Sequence, residues 1–262
     1  MTKIIALANQ KGGVGKTTTA INLATALAAC DKQVLLIDFD PQANASTGLG
    51  INHDQRVKTS YDLLVQSEDY LKSILPTSIA NLDIIPASLD LSGAEIELVD
   101  IDRREYRLSN SLKHMNLAKY HTVLIDCPPS LSLLTLNALT TAHSVLVPLQ
   151  CEFYALEGLS QLLKTIDMVK KSLNPTLDLQ GIVLTMYDKR NNLCDMVADD
   201  VRTYFKDKVY QTIIPRNVRI SEAPSHGQPV LVYDHRCQGS QAYINLAAEL
   251  LAQNNNFNKL SA

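Results

Sequence analysis

At 262 residues, with 46% hydrophobic and 19% charged side chains, the chain has the composition of a soluble globular protein with a full core, built as one large α/β domain or two small ones. A net charge of −3 means that any nucleic-acid binding must come from a local basic patch rather than from the overall field. The five scattered cysteines include no C-x-x-C pair, which argues against a disulfide framework or a zinc site, and no eighteen apolar residues run together, so a cytoplasmic protein without a membrane span is expected.

In chain order, Ile4–Ala8 reads as a short strand, too brief for a signal-peptide core. It leads through a glycine loop into a helix with Ala20, Leu23, Ala24, Leu27 and Ala28 at helical spacing. Strands are predicted at Val34–Ile37, Leu82–Ile85, Val123–Ile125, Val145–Leu149 and Gly181–Leu184. Most are uninterrupted apolar runs, as parallel strands covered on both faces require. Helices follow from Leu156, Leu159, Leu162, Leu163 and Ile166, and from Tyr243, Ile244, Leu246, Ala247 and Leu250. Alternating β and α elements imply a doubly wound, mostly parallel sheet with helices on both faces. No linker or repeat divides the chain, so a single domain over 1–262 is expected, with a frayed Asn-rich tail at about 254–262.

The loop NQKGGVGKTT carries the chemistry. In a G-x-x-x-x-G-K-[ST] phosphate loop the first glycine falls five residues before Gly15, where this chain has Gln10, followed by a second lysine, Lys11. The strand before the loop and the alanine-rich helix after it are the context in which such a loop works. The amides of Gly12, Gly13, Val14 and Gly15 and the helix start at Thr18 cradle a polyphosphate, Lys16 reaches the β and γ phosphates, and the Thr17 hydroxyl serves Mg²⁺.

Two acidic strand ends point to the same place. VLLIDFDPQ sets Asp38 and Asp40 after one strand, and TVLIDCPPS sets Asp126 after another, the position of a magnesium-orienting aspartate. Ligands of open α/β sheets bind outside the carboxyl ends of the strands, so these acids and the loop converge. A carboxylate at a strand end also serves as a cap for the following helix, and for Asp38 that reading stays open.

KGGVGKTT, DFDPQ and IDCPPS together resemble the deviant Walker A ATPases of the ParA/MinD group. CEFYALEGLSQLL, IPRNVRISEAPSHG and LVYDHRCQGSQAY extend the likeness to the chromosomal, Soj-like ParA branch over nearly the whole chain. The resemblance implies an ATPase using ATP and Mg²⁺, with two ATPs sandwiched in a homodimer and Lys11 crossing to the partner's phosphates. It further implies that Asp40 positions or polarises the attacking water, with Thr17, Asp40 and Asp126 serving magnesium partly through water. Pro215 and Asn217 are implied near the adenine, although both also read as turn residues.

Basic residues cluster late, at Lys189, Arg190, Lys206, Lys208, Arg216, Arg219 and Arg236. The resemblance implies that Arg190 and Arg219 hold non-specific double-stranded DNA in the ATP-bound dimer, and that a ParB/Spo0J-like protein stimulates an otherwise slow hydrolysis, which makes the protein nucleoid-associated. Without the family position, the cluster reads as a solvated face. The glycine loop starts too near Met1 for the N-terminal helix-turn-helix domain of longer plasmid relatives, so operator binding is not expected. Three rivals fit less well. A MinD-like membrane-associated positioning ATPase needs a basic amphipathic tail, which QNNNFNKLSA is not, whereas another ParA-like cargo-positioning ATPase stays open as the alternative. A nitrogenase-type iron protein needs differently placed cysteines. A metabolic P-loop enzyme such as dethiobiotin synthetase does not account for PRNVRISEAPSHG.

Overall fold

A computed structural model describes residues 2–67 and 69–260, the side chains of 254–260 excepted. The strands are β1 (Lys3–Leu7), β2 (Val34–Asp38), β3 (Leu75–Pro76), β4 (Leu82–Ile85), β5 (Thr122–Asp126), β6 (Ser144–Gln150), β7 (Asp178–Tyr187) and β8 (Val209–Pro215). They form one sheet in the order β3-β4-β2-β5-β1-β6-β7-β8, parallel throughout except for the antiparallel pair β3–β4.

Alternate residues of each central strand enter different cores, as the period of two requires. Ile5, Leu7, Leu36, Leu124, Leu146 and Val183 pack beneath α1 (Lys16–Ala29) and the C-terminal helix Gln238–Leu260. Ala6, Leu35, Ile37, Val123, Ile125 and Val147 pack on the opposite face, against helices Arg107–His114, Leu133–Thr141, Ala155–Ser172 and Asn192–Phe205. The expected doubly wound sheet with helices on both faces is therefore observed.

Two strands lie outside the sequence expectations. β3 is a two-residue edge with a proline, where no ladder donor is needed. β8 is the opposite edge, and its apolar run is broken by Gln211 and Thr212. The Glu249 carboxylate accepts the amide hydrogens of Gln211 (2.7 Å) and Thr212 (3.0 Å), standing in for a missing strand. The C-terminal helix is continuous to Leu260, and the tail expected to fray at 254–262 lies, for its side chains and last two residues, outside the described residues.

Candidate nucleotide site

β1 lies between β5 and β6, where the chain's winding changes side, and the glycine loop leaves its carboxyl end. Gly13 and Gly15 take φ of +75° and +85°, the left-handed region where a side chain is strained. Gly15 occupies the N-cap of α1, whose start has neither a side-chain cap nor an acidic residue in its first turn. The amides there are consequently left for an external anion, and the helix dipole favours one.

Three side chains brace the loop. Asn9 donates to the Pro148 carbonyl (2.8 Å) and accepts the Lys11 amide hydrogen (3.1 Å). The Thr185 hydroxyl donates to the Val14 carbonyl (2.8 Å). Lys16 folds back beneath the loop, with Nζ donating to the Lys11 carbonyl at 3.1 Å. Burial lowers the Lys16 pKa, and the nearby Asp126, Cys127 and Asp40 oppose that shift. These contacts fix the loop from Asn9 to Lys16.

The acidic strand ends meet there, in different roles. Asp38 is fully buried and accepts both the amide hydrogen (2.8 Å) and the hydroxyl (2.6 Å) of Ser46, seating α2 (Asn44–Gly48). Burial pushes its pKa up to about 6 in spite of those bonds. Between the alternatives left open by the sequence, its contacts are those of a capping carboxylate. Asp40 is nearly buried and accepts the Gln42 amide hydrogen (3.0 Å), and its charge acts on Lys16.

Asp126 is the outlier. It is completely buried, and neither carboxylate oxygen has a hydrogen-bond partner, although the Thr17 hydroxyl is near enough to favour the ionised form. Burial, then the charges of Asp38 and Asp40, hold its pKa well above the ordinary carboxylate range, against the influence of Thr17 and Lys16. An orphaned carboxylate beside a threonine hydroxyl and a second acid is a donor set suited to a hard divalent cation, and it fits magnesium.

A raised carboxylate pKa in the folded state gives stability that is complete below the unfolded value, near 3.8, and is lost as pH rises toward the folded value. Asp126→Asn removes that loss. Without nucleotide or metal the variant should be more stable than wild type at pH 7, because an amide carries no charge that must be neutralised or left buried on folding. The gap should widen as pH rises from about 4, the unfolded value. Urea denaturation across pH checks this, and a variant less stable than wild type at pH 7 contradicts it.

Lys11 behaves unlike Lys16. Its ammonium is half exposed and pairs with Glu152 at the start of the segment that follows β6. Glu152 lay within a stretch already noted in the sequence, but a contact spanning so many residues leaves no local signal.

Pro215 and Asn217 line a cleft of about 320 Å³ beside the loop, together with Gly15, Thr18, Met186 and Tyr243. Asn217 also accepts the Arg219 amide hydrogen (2.9 Å) as the cap of α3 (Val218–Glu222), so its turn role and its cleft position coexist. Sequence reasoning missed Thr185 and Met186, the end of the long β7. Arg190 and Arg219 are surface residues, and each is ion-paired within the chain.

Residues 2–179 match a family model described as an AAA domain. The chain is 60% identical over 252 residues to the chromosome partitioning protein ParA of Caulobacter vibrioides, covering 96% of this chain and 94% of that protein. It is 54% identical to the sporulation initiation inhibitor protein Soj of Bacillus subtilis, covering 96% of this chain and 99% of that one. Among solved structures, cobyrinic acid a,c-diamide synthase of Mycobacterium smegmatis, with a bound ATP analogue and magnesium, superposes with a TM-score of 0.83 at 37% identity. The match covers 96% of this chain and 95% of that one. The glycine loop with its second lysine, the buried acids at its mouth and identity above one half along almost the full length agree: the chain belongs to the ParA/Soj family of P-loop ATPases.

Proposed function

We propose that this protein is an ATP-dependent dimeric switch for DNA segregation. The observation that carries the reading is the division between the two lysines. Lys16 is buried under the loop, where it serves the chain's own phosphates, whereas the Lys11 ammonium is half exposed and tied to Glu152 of its own chain, an exposed pair that a partner's phosphate can replace. A second subunit placed mouth to mouth receives that ammonium on its own nucleotide, so ATP occupancy becomes a condition for pairing.

Within each subunit, the amides from Gly12 to Thr18 and the Lys16 ammonium bind the phosphates, and Pro215 and Asn217 hold the base. Asp40 orients the attacking water and takes up its developing positive charge. Thr17, Asp40 and Asp126 would hold magnesium, partly through water, and the bound ion would neutralise charge on the transferring phosphoryl group. Arg190 and Arg219, doubled in the dimer, contact the phosphates of duplex DNA without reading its sequence. Hydrolysis is slow until a ParB/Spo0J-like partner stimulates it and releases the DNA, so the protein is cytoplasmic and gathers on the nucleoid. The whole chain acts as one ATPase domain.

Lys11→Ala tests the division of labour. The variant should retain most ATP binding, because its side chain is not part of its own subunit's cradle. It should lose ATP-driven dimerisation and nearly all hydrolysis, a drop on the order of a hundredfold, as expected when a charged contact to a transition-state phosphate is removed. Light scattering with ATP, beside a nucleotide-binding titration, reads both. An unimpaired ATP-dependent dimer of Lys11→Ala removes the proposal's main support.

A further inference from the structure

The two arginines assigned to DNA are both occupied by carboxylates of their own chain. Arg190 makes a fork-to-fork pair with Asp188: Nε donates to Oδ1 at 2.9 Å and the terminal nitrogen to Oδ2 at 2.8 Å. Arg219 donates to Glu222 Oε2 at 3.0 Å and has Asp234 Oδ2 at 3.6 Å on its Nε side, with the Tyr233 ring 6.0 Å away. The geometry at Asp188 is the one a guanidinium adopts on a phosphate, two parallel N–H···O bonds to two oxygens. Neither pair is buried. Arg190 is 88% exposed and Arg219 is 52% exposed, so solvent phosphates have access to both.

The pairs also share a position in the fold. Asp188 follows directly on β7, two residues beyond Met186 of the base cleft. Glu222 and Arg219 stand on α3, whose Ile220 and Ser221 line the same cleft. The two segments are tied together where Tyr187 pairs with Pro215 and the Tyr187 carbonyl accepts the Arg216 amide hydrogen at 2.9 Å. A nucleotide base seated in the cleft therefore touches both segments that carry the paired arginines.

We propose that Asp188 and Glu222 are internal competitors for the DNA backbone: each occupies the guanidinium that a DNA phosphate would take, so binding is an exchange of carboxylate for phosphate. The inference rests on the reading that Arg190 and Arg219 contact DNA, and it adds what holds that contact in check. A lone subunit with both arginines neutralised binds duplex DNA weakly. A dimer presents four exchangeable pairs at once, and its avidity overcomes the competition. Freed carboxylates take up cations, which offsets part of the counterion release and makes the wild-type salt dependence shallower than four bare arginines would give.

Removing one competitor should tighten DNA binding by about two- to fivefold per pair, the range for exposed ion pairs, and by up to about twentyfold when both copies in a dimer change. Asp188→Asn is the sharpest probe, because its remaining side-chain oxygen can still accept the Arg190 amide hydrogen, which Asp188 Oδ1 holds at 3.0 Å. Glu222→Gln tests the second pair independently. Fluorescence anisotropy with two unrelated duplexes, in ATP and in ADP across a sodium chloride series, measures affinity, and light scattering verifies that each variant still dimerises.

The expected result is tighter binding and a steeper salt dependence for both variants, on both duplexes, with the Asp188→Asn gain abolished when Arg190→Gln is already present. Unchanged affinity overturns the inference. So does a gain of equal size in the Arg190→Gln background, which marks a general charge effect. If Arg190→Gln weakens binding while neither acid variant tightens it, the DNA reading stands and this inference alone fails. If wild type with ATP binds neither duplex, the DNA reading fails and takes the inference with it.

Discussion

Lys16→Ala should lose nucleotide binding altogether at concentrations that saturate wild type, a weakening on the order of a hundredfold or more. The Lys16 ammonium is nearly buried and held by the Lys11 carbonyl at 3.1 Å, so it is positioned before any phosphate arrives. Charge-assisted hydrogen bonds to two phosphates, each contributing about 1.5–3 kcal/mol, are removed together. The loop itself is braced independently by Asn9 and Thr185, so the variant should fold. Titration with a fluorescent ATP analogue, alongside the circular dichroism spectrum, separates loss of binding from loss of structure. Wild-type affinity in a folded Lys16→Ala protein contradicts the placement of the phosphates.

Asp40→Ala should have an effect at least as large, and on a different step. If Asp40 prepares water, turnover falls by about 10²–10⁴-fold, the range for a positioned acid or base. MgATP binding persists, because Thr17 and Asp126 remain, and the variant accumulates as a DNA-bound dimer. Asp40→Asn separates chemistry from architecture. It can still accept the Gln42 amide hydrogen that Asp40 Oδ1 holds at 3.0 Å, so the turn survives while the charge is lost. Both variants should be equally slow. Full activity in Asp40→Asn would restrict Asp40 to a structural role.

What the sequence reveals and what it hides divide along the range of the interactions. The phosphate loop is legible because everything it needs is contiguous: a strand, glycines able to take positive φ, a lysine and a helix start. β1, β2, β5 and β6 are legible for a related reason, since strands buried on both faces must be apolar throughout. β8 is not, because an edge strand tolerates Gln211 and Thr212, and its free amides are satisfied by Glu249 from a helix far along the chain. Asp38 and Asp40 look alike in DFDPQ, and the partners of each tell them apart: Ser46 holds Asp38, while Asp40 accepts the Gln42 amide hydrogen and its charge acts on Lys16.

The partner of Lys11 illustrates the same limit. Lys11 stands out in the sequence because it occupies an unusual place in the motif, but Glu152 is brought to it by β6 lying beside β1. The carboxylates that hold Arg190 and Arg219 are, by contrast, two and three residues away. Their spacing is visible in YDKRNNL and VRISE; which way the guanidinium turns depends on the turn after β7 and on the short helix α3.

The central claim is that ATP, and not ADP, joins two chains mouth to mouth. The most direct test is the mass of Asp40→Ala in solution by multi-angle light scattering, with magnesium and each nucleotide in turn, since slow turnover keeps the ATP state populated. The expected result is a monomer without nucleotide and with ADP, and a stable dimer with ATP that reverts to a monomer when Lys11→Ala is added. A mass independent of the nucleotide, or a dimer that persists without Lys11, contradicts it.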